Sequence, residues 1–244
     1  MSKHYKNPPL SEVVCEFQFG QDSSWDLAIP GLVYEKVREK FPARSQVARV
    51  TMGISTNEGE IGPQIGATPI MRFSSENENL IMQVGLHLLS INHLKPYSSW
   101  EQFFPQILYG FNMYREVANP RSIHRIGLRY VNTIEIPGPG INLEDYFEFR
   151  PYVGPHLPKT VGPFMVAVQL PYEDSRDVLS LQLASLAGLS IDVATIILDL
   201  DYFLAQPGSV ALDDISAWIM NAHAHVEEIF EGCITDQLRQ KFEE

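Results

Sequence analysis

Two arginines four residues apart, Arg125 and Arg129, lie in phase on one side of a strand-like segment. Guanidinium groups sharing a face can grip a phosphate or a carboxylate bidentately. In so acidic a chain their default partner is a carboxylate, and Glu16 or Glu135 is the expected one. Asp199 and Asp201 flank Leu200, so a strand would set both carboxylates on one side, roughly 7 Å apart from two strand rises. With a third oxygen ligand such a pair could hold Mg²⁺ or Ca²⁺; a strand end turned to solvent is the default explanation. His223 and His225 are two residues apart in a helical pattern, so their side chains diverge by about 200° and cannot share a ligand. Gly59, Gly62 and Gly66 lack the Lys-Ser/Thr that completes a phosphate loop. No Gly-x-Ser-x-Gly elbow occurs, and no nucleophile near Asn221 and His223 is closer than Cys233. Cys15 and Cys233 lie near opposite ends without close Cys or His neighbours. They read as buried free thiols rather than zinc ligands. The cofactor is left unknown by these residues.

Charge narrows the partner class. The 244 residues carry a formal net charge of −12, which argues against broad binding to nucleic-acid backbones or anionic membranes. The charge is uneven. Residues 1–122 hold 11 basic and 12 acidic side chains, and residues 123–244 hold 7 and 18. An acidic surface of that kind serves solubility, or steers a basic protein partner. No run of apolar residues is long enough to span a bilayer. Met1 to Leu10 has no apolar stretch after its lysines and does not read as a signal peptide. A cytoplasmic location is expected.

The elements that must position these residues follow from periodicity. Alternation over Val13–Phe19 predicts a half-buried strand. Helical spacing predicts a helix over Ile29–Phe41, with Pro30 in its first turn and Pro42 ending it. Strands are expected at Arg49–Ile54, Pro69–Ser74 and Leu80–Asn92, with 57–68 a loop or long hairpin tip. Ser98 or Ser99 caps a helix to about Val117 that contains Pro105. Ile123–Ile136 is the longest alternating strand, ended by Pro137-Gly138-Pro139-Gly140. A short helix at Leu143–Phe147, strands at Phe164–Leu170, Val178–Leu186 and Ile191–Phe203, and a helix from Asp213 complete the chain.

This is an α+β order of two similar β-α-β-β-β-α halves, 1–122 and 123–244, expected to form one continuous domain. Helices would cover one face of an antiparallel sheet. The order resembles the duplicated TATA-binding-protein-like or helix-grip group of folds. Glu16, Gln18, Gln83, His87, Arg125, Arg129, Ser180 and Gln182 run out of phase with the apolar residues. They would share the other face, as a binding surface or simply its solvated side. Arg125, Arg129, His87, Gln83 and Glu16 are the candidate ligand-binding residues, with Asp199 and Asp201 the candidate metal ligands. Asn132 falls on the apolar face and must be hydrogen-bonded if buried.

Three segments carry a further resemblance. Asn7-Pro8-Pro9-Leu10-Ser11-Glu12-Val13-Val14-Cys15-Glu16-Phe17 opens the chain, Leu128-Arg129-Tyr130-Val131-Asn132 lies mid-chain, and His223 to Phe230 followed by Ile234-Thr235-Asp236 lies near the end. Together they resemble a sporadically distributed family of uncharacterised prokaryotic proteins. The resemblance covers essentially the whole chain. It transfers no activity; a scattered distribution implies mobile genes, such as defence or toxin–antitoxin modules. The function expected is a non-enzymatic binding or interaction protein. The alternative is an enzyme acting on an anionic small molecule or nucleotide, with Asp199 and Asp201 holding a metal.

Overall fold

A computed structural model describes residues 5–23, 25–57, 60–138, 141–157, 162–186 and 193–244; for 50–57 and 60–67 it describes the backbone alone. The chain is α+β. Its strands are β1 (Leu10–Phe19), β2 (Ala43–Asn57), β3 (Glu60–Ser74), β4 (Leu80–Gly85), β5 (Leu88–Leu94), β6 (Ile123–Pro137), β7 (Met165–Tyr172), β8 (Asp177–Leu186) and β9 (Val193–Leu204). Its helices are α1 (Ile29–Val37), α2 (Trp100–Ala118), α3 (Ile215–Cys233) and α4 (Asp236–Lys241). Hydrogen bonding orders the strands β2-β3-β4-β5-β1-β6-β9-β8-β7 in an antiparallel sheet. The chain divides into two compact units, Cys15–His124 and Met1–Val14 with Arg125–Glu244. The division therefore cuts β1 after Val14 and β6 after His124, and assigns the start of β1 to the acidic unit.

In Cys15–His124, α1 and α2 pack on each other and α2 covers β5. Trp100, Phe103, Ile107, Phe111 and Tyr114 form the buried stripe of α2, each large side chain contributing about 1.5–3 kcal/mol on leaving water. Ser99 caps this helix by accepting from Gln102 N–H at 3.4 Å, and Asn119 ends it with φ 44°. Pro105 is accommodated inside the helix. Two expectations are corrected. Leu80–Asn92 is two strands, β4 and β5, joined at Leu86-His87, where His87 takes the left-handed φ of 51° that a tight reversal needs. Alternation could not expose this break, because β4 and β5 are both buried on nearly every residue. The loop over 57–68 is strand from Glu60 on, so Gly62 and Gly66 lie in a β2–β3 ladder rather than in a phosphate cradle. Among the described residues the first half thus has one strand more than the second.

In the other unit, β6 has the expected length and alternation, burying Ile126, Leu128, Tyr130, Asn132, Ile134 and Ile136. α3 lies against β9 and buries Ile215, Trp218, Ile219, Ala222 and Val226. Gly232 does not break α3, which runs on to Cys233. A new cap then starts α4, with Thr235 accepting from Leu238 N–H at 3.3 Å. The Leu143–Phe147 segment is a single 3₁₀ turn, Leu143–Asp145, and Phe147 bridges to Ile234. β7 and β8 are joined by Glu173, Asp174 and Ser175, all at positive φ. Strand Ile191–Phe203 is observed from Val193; its first two residues, like Pro139 and Gly140, lie outside the described ones.

Candidate binding face

The acidic unit brings four of the seven candidate residues together. Register sets Arg129 of β6 opposite Asp201 of β9, and Asp201 opposite Ser180 of β8. Asp199 stands opposite Val131 and Gln182. Directly paired residues share a face, so Arg129, Asp199, Asp201, Ser180 and Gln182 form one half-exposed field, opposite the core face of Leu198, Leu200 and Tyr202. The charges close on one another. Arg129 donates to Asp199 from Nε at 2.8 Å and from Nη2 at 2.5 Å, a bidentate grip. Arg125 donates from Nη2 to Asp201 Oδ2 at 2.7 Å, and its guanidinium lies 4.6 Å from the Phe203 ring centre.

Gly127 makes the second pair possible. A Cβ there would meet Arg125 Nη1 at 2.7 Å and Asp201 Oδ1 at 3.2 Å. The missing side chain opens a trough along which Arg125 lies over β6 to its diagonal partner. The expected partners Glu16 and Glu135 are therefore replaced by Asp201 and Asp199. The reason is pairing order: β9, distant in sequence, is the hydrogen-bonded neighbour of β6.

Burial raises the Asp201 carboxyl above its ordinary range, and the attraction of Arg125 and Arg129 offsets this only in part. A carboxyl raised on folding favours the fold while protonated. That contribution is fully present below the unfolded value of 3.8 and is lost as pH rises through the raised one. Asp201→Asn cannot titrate, so its stability relative to the unaltered protein is expected to improve as pH rises through that window. Urea unfolding at pH 3.5 and pH 7 checks this; a relative stability that falls with pH contradicts it.

The remaining candidates sit in Cys15–His124 and do not form one cluster. Glu16 on β1 is held by Arg49 at 3.1 Å and accepts from Gln18 Nε2 at 2.8 Å. Gln83 stands on β4 between Arg72 and Ser90. His87 is not on a sheet face at all: it occupies the β4–β5 turn, with its ring 6.1 Å from that of Trp25. The concavity at the end of α2, lined by Asn112, Met113, Arg115, Glu116 and Asn119, contains none of the candidates.

The histidines of α3 separate as their spacing requires. His223 is buried, with Nδ1 2.8 Å from Tyr130 Oη and Nε2 3.3 Å from Glu227. His225 stacks on Tyr202 and meets Tyr172 at a tilt, and the two tyrosine rings also touch each other. Among the described residues no group of three or more His, Cys, Asp or Glu could hold a metal ion. Cys15 and Cys233 are both buried free thiols; burial pushes the Cys233 thiol up to about 12, away from reactivity.

One charged group escaped sequence reasoning. Asp177, at the start of β8, is 0% exposed. It accepts from Trp218 Nε1 at 3.0 Å, from Tyr202 Oη at 3.2 Å and from Arg176 at 2.6 Å. An Arg-Asp pair before a strand gives no hint of this, because its partners come from β9 and α3.

No protein-family model matches the chain, and no curated protein matches it. Among the described residues no helix is long and apolar enough to cross a membrane.

Proposed function

We propose that the protein is a non-enzymatic binding protein whose acidic unit engages a basic protein partner. One observation carries the reading: every arginine from Arg125 onward is already tied to a carboxylate. Arg125 holds Asp201, Arg129 holds Asp199, Arg150 lies near Glu148, Arg176 holds Asp177, and Arg239 holds Glu231 and Asp236. With 18 acidic side chains against 7 basic in residues 123–244, the surplus negative charge resides on exposed carboxylates such as Glu135, Glu144, Glu173 and Asp174. Surplus charge of one sign steers and selects an oppositely charged partner. The family resemblance adds a mobile defence or toxin–antitoxin setting to this reading.

The test is capture from the native host at low and high salt. A partner retained at low salt and released at about 0.5 M, where screening is short-ranged, is expected. Capture of nothing that depends on salt contradicts the proposal. The enzyme reading draws support from the shared face of Arg125, Arg129, Asp199 and Asp201. Mutual neutralisation weighs against it, since a substrate and a metal would each have to displace an ion pair in place.

We further read the units as diverged copies of one TATA-binding-protein-like half. Each runs its later strands back to its first, β2-β3-β4-β5-β1 and β7-β8-β9-β6, and follows its last strand with a long helix.

A further inference from the structure

β7 is the outer strand of the acidic unit and, among the described residues, pairs with β8 alone. Its hydrogen-bond phase follows from one contact. Ser185 N–H donates to Phe164 O at 3.0 Å, so these two residues form a hydrogen-bonded pair. With Met165 opposite Ala184, the backbone groups of Val166, Val168, Leu170 and Tyr172 then point to β8. Those of Met165, Ala167, Gln169 and Pro171 point away from the sheet. The far side of β8 gives the same phase, since Ala205 N–H donates to Arg176 O at 2.8 Å.

Edge strands are normally blunted by lysine, by bulges or by cover. Here residues 162–172 carry no charge, although the half of the chain that contains them is strongly acidic. Met165 is 68% exposed and Val168 39%. The outward row does have ends: Pro171 has no N–H, and neither has Pro163. Among the described residues, open donors thus remain at Met165, Ala167 and Gln169. Ala167 is their midpoint, and the two prolines stand four residues to either side of it.

We propose that β7 pairs antiparallel with β7 of a second copy of this chain, about a two-fold axis at Ala167. Ala167 then meets the partner's Ala167, and Met165 exchanges hydrogen bonds with the partner's Gln169, about six bonds in all. Pro163 falls opposite the partner's Pro171, so residues without a donor face each other, and any shifted register sets a proline against an open ladder position. Val166 lies beside the partner's Val168, and Phe164 beside the partner's Leu170, pairs that bury apolar surface on one face. A second copy suits this edge on charge as well. Residues 162–172 bring no charge to the axis, so no like charges meet where the two acidic copies join.

Sedimentation equilibrium of the full chain over a wide concentration range tests the proposal. The unaltered protein is expected to dimerise. Ala167 is exposed, so Ala167→Lys and Ala167→Glu should keep the fold, verified by circular dichroism. Each should weaken self-association by about tenfold or more, because like charges meet at the axis. An equimolar mixture of the two variants should dimerise again. A protein monomeric at every concentration overturns the proposal, even if it binds an unrelated extended peptide at this edge. A dimer that survives both variants, or a mixture that stays monomeric, overturns it equally.

Discussion

Replacing Asp177 with alanine is expected to cost about 3–5 kcal/mol of stability, the range for breaking a buried charge pair. The carboxylate is fully buried, and side chains from β9, from α3 and from the connection before β8 converge on it. Removal strands the Trp218 Nε1–H and the Tyr202 hydroxyl inside the core of the acidic unit. Each stranded group costs its desolvation, about 1–3 kcal/mol. Arg176 is one-third exposed and can turn to water, which places the total toward the lower end of the range. Asp177→Asn retains an acceptor and should lose less. Urea unfolding with an unchanged slope and a lowered midpoint is the expected signature. A loss below about 1 kcal/mol would mean that the carboxylate is not what holds β8, β9 and α3 together.

Gly110→Val is expected to destabilise by about 1–3 kcal/mol, because it overfills a packed interface. Gly110 is buried in α2, and a Cβ there would lie 2.4 Å from Ile91 Cδ1 and 3.2 Å from Ile91 Cγ1. Ile91 is fully buried in β5, where α2 crosses the strand, so it has little room to withdraw. A glycine in mid-helix costs roughly 1 kcal/mol relative to alanine in propensity; the gain on replacing it reduces but does not cancel the clash. Thermal unfolding checks this, together with the paired variant Gly110→Val, Ile91→Ala. The smaller partner should recover part of the loss, and two independent losses that simply add would contradict the contact.

The pattern of burial explains what the sequence disclosed and what it hid. β1, β6, β8 and β9 alternate because one side is core and the other half-exposed. Such strands are legible from a period of two. β4 and β5 are buried on both sides, so the turn at Leu86-His87 left no periodic mark. That hidden turn displaced His87 from the binding face and altered the count of strands. The site was legible by face but not by partner. Phase correctly put Arg125 and Arg129 on the polar side, yet pairing across β6 and β9 joins residues about seventy apart in sequence, which no local spacing encodes. Asp177 was hidden for the same reason.

We propose that the Arg–Asp pairs build the face while the surplus exposed carboxylates do the binding. This is tested most directly by comparing capture of the salt-sensitive partner by three proteins at low salt: the unaltered chain, Arg129→Ala with Asp199→Ala, and Glu135→Gln with Glu144→Gln, Glu173→Gln and Asp174→Asn. The first two should retain the partner and the third should release most of it. Loss of the partner with the Arg129–Asp199 pair, and retention by the variant stripped of surface carboxylates, would contradict the account.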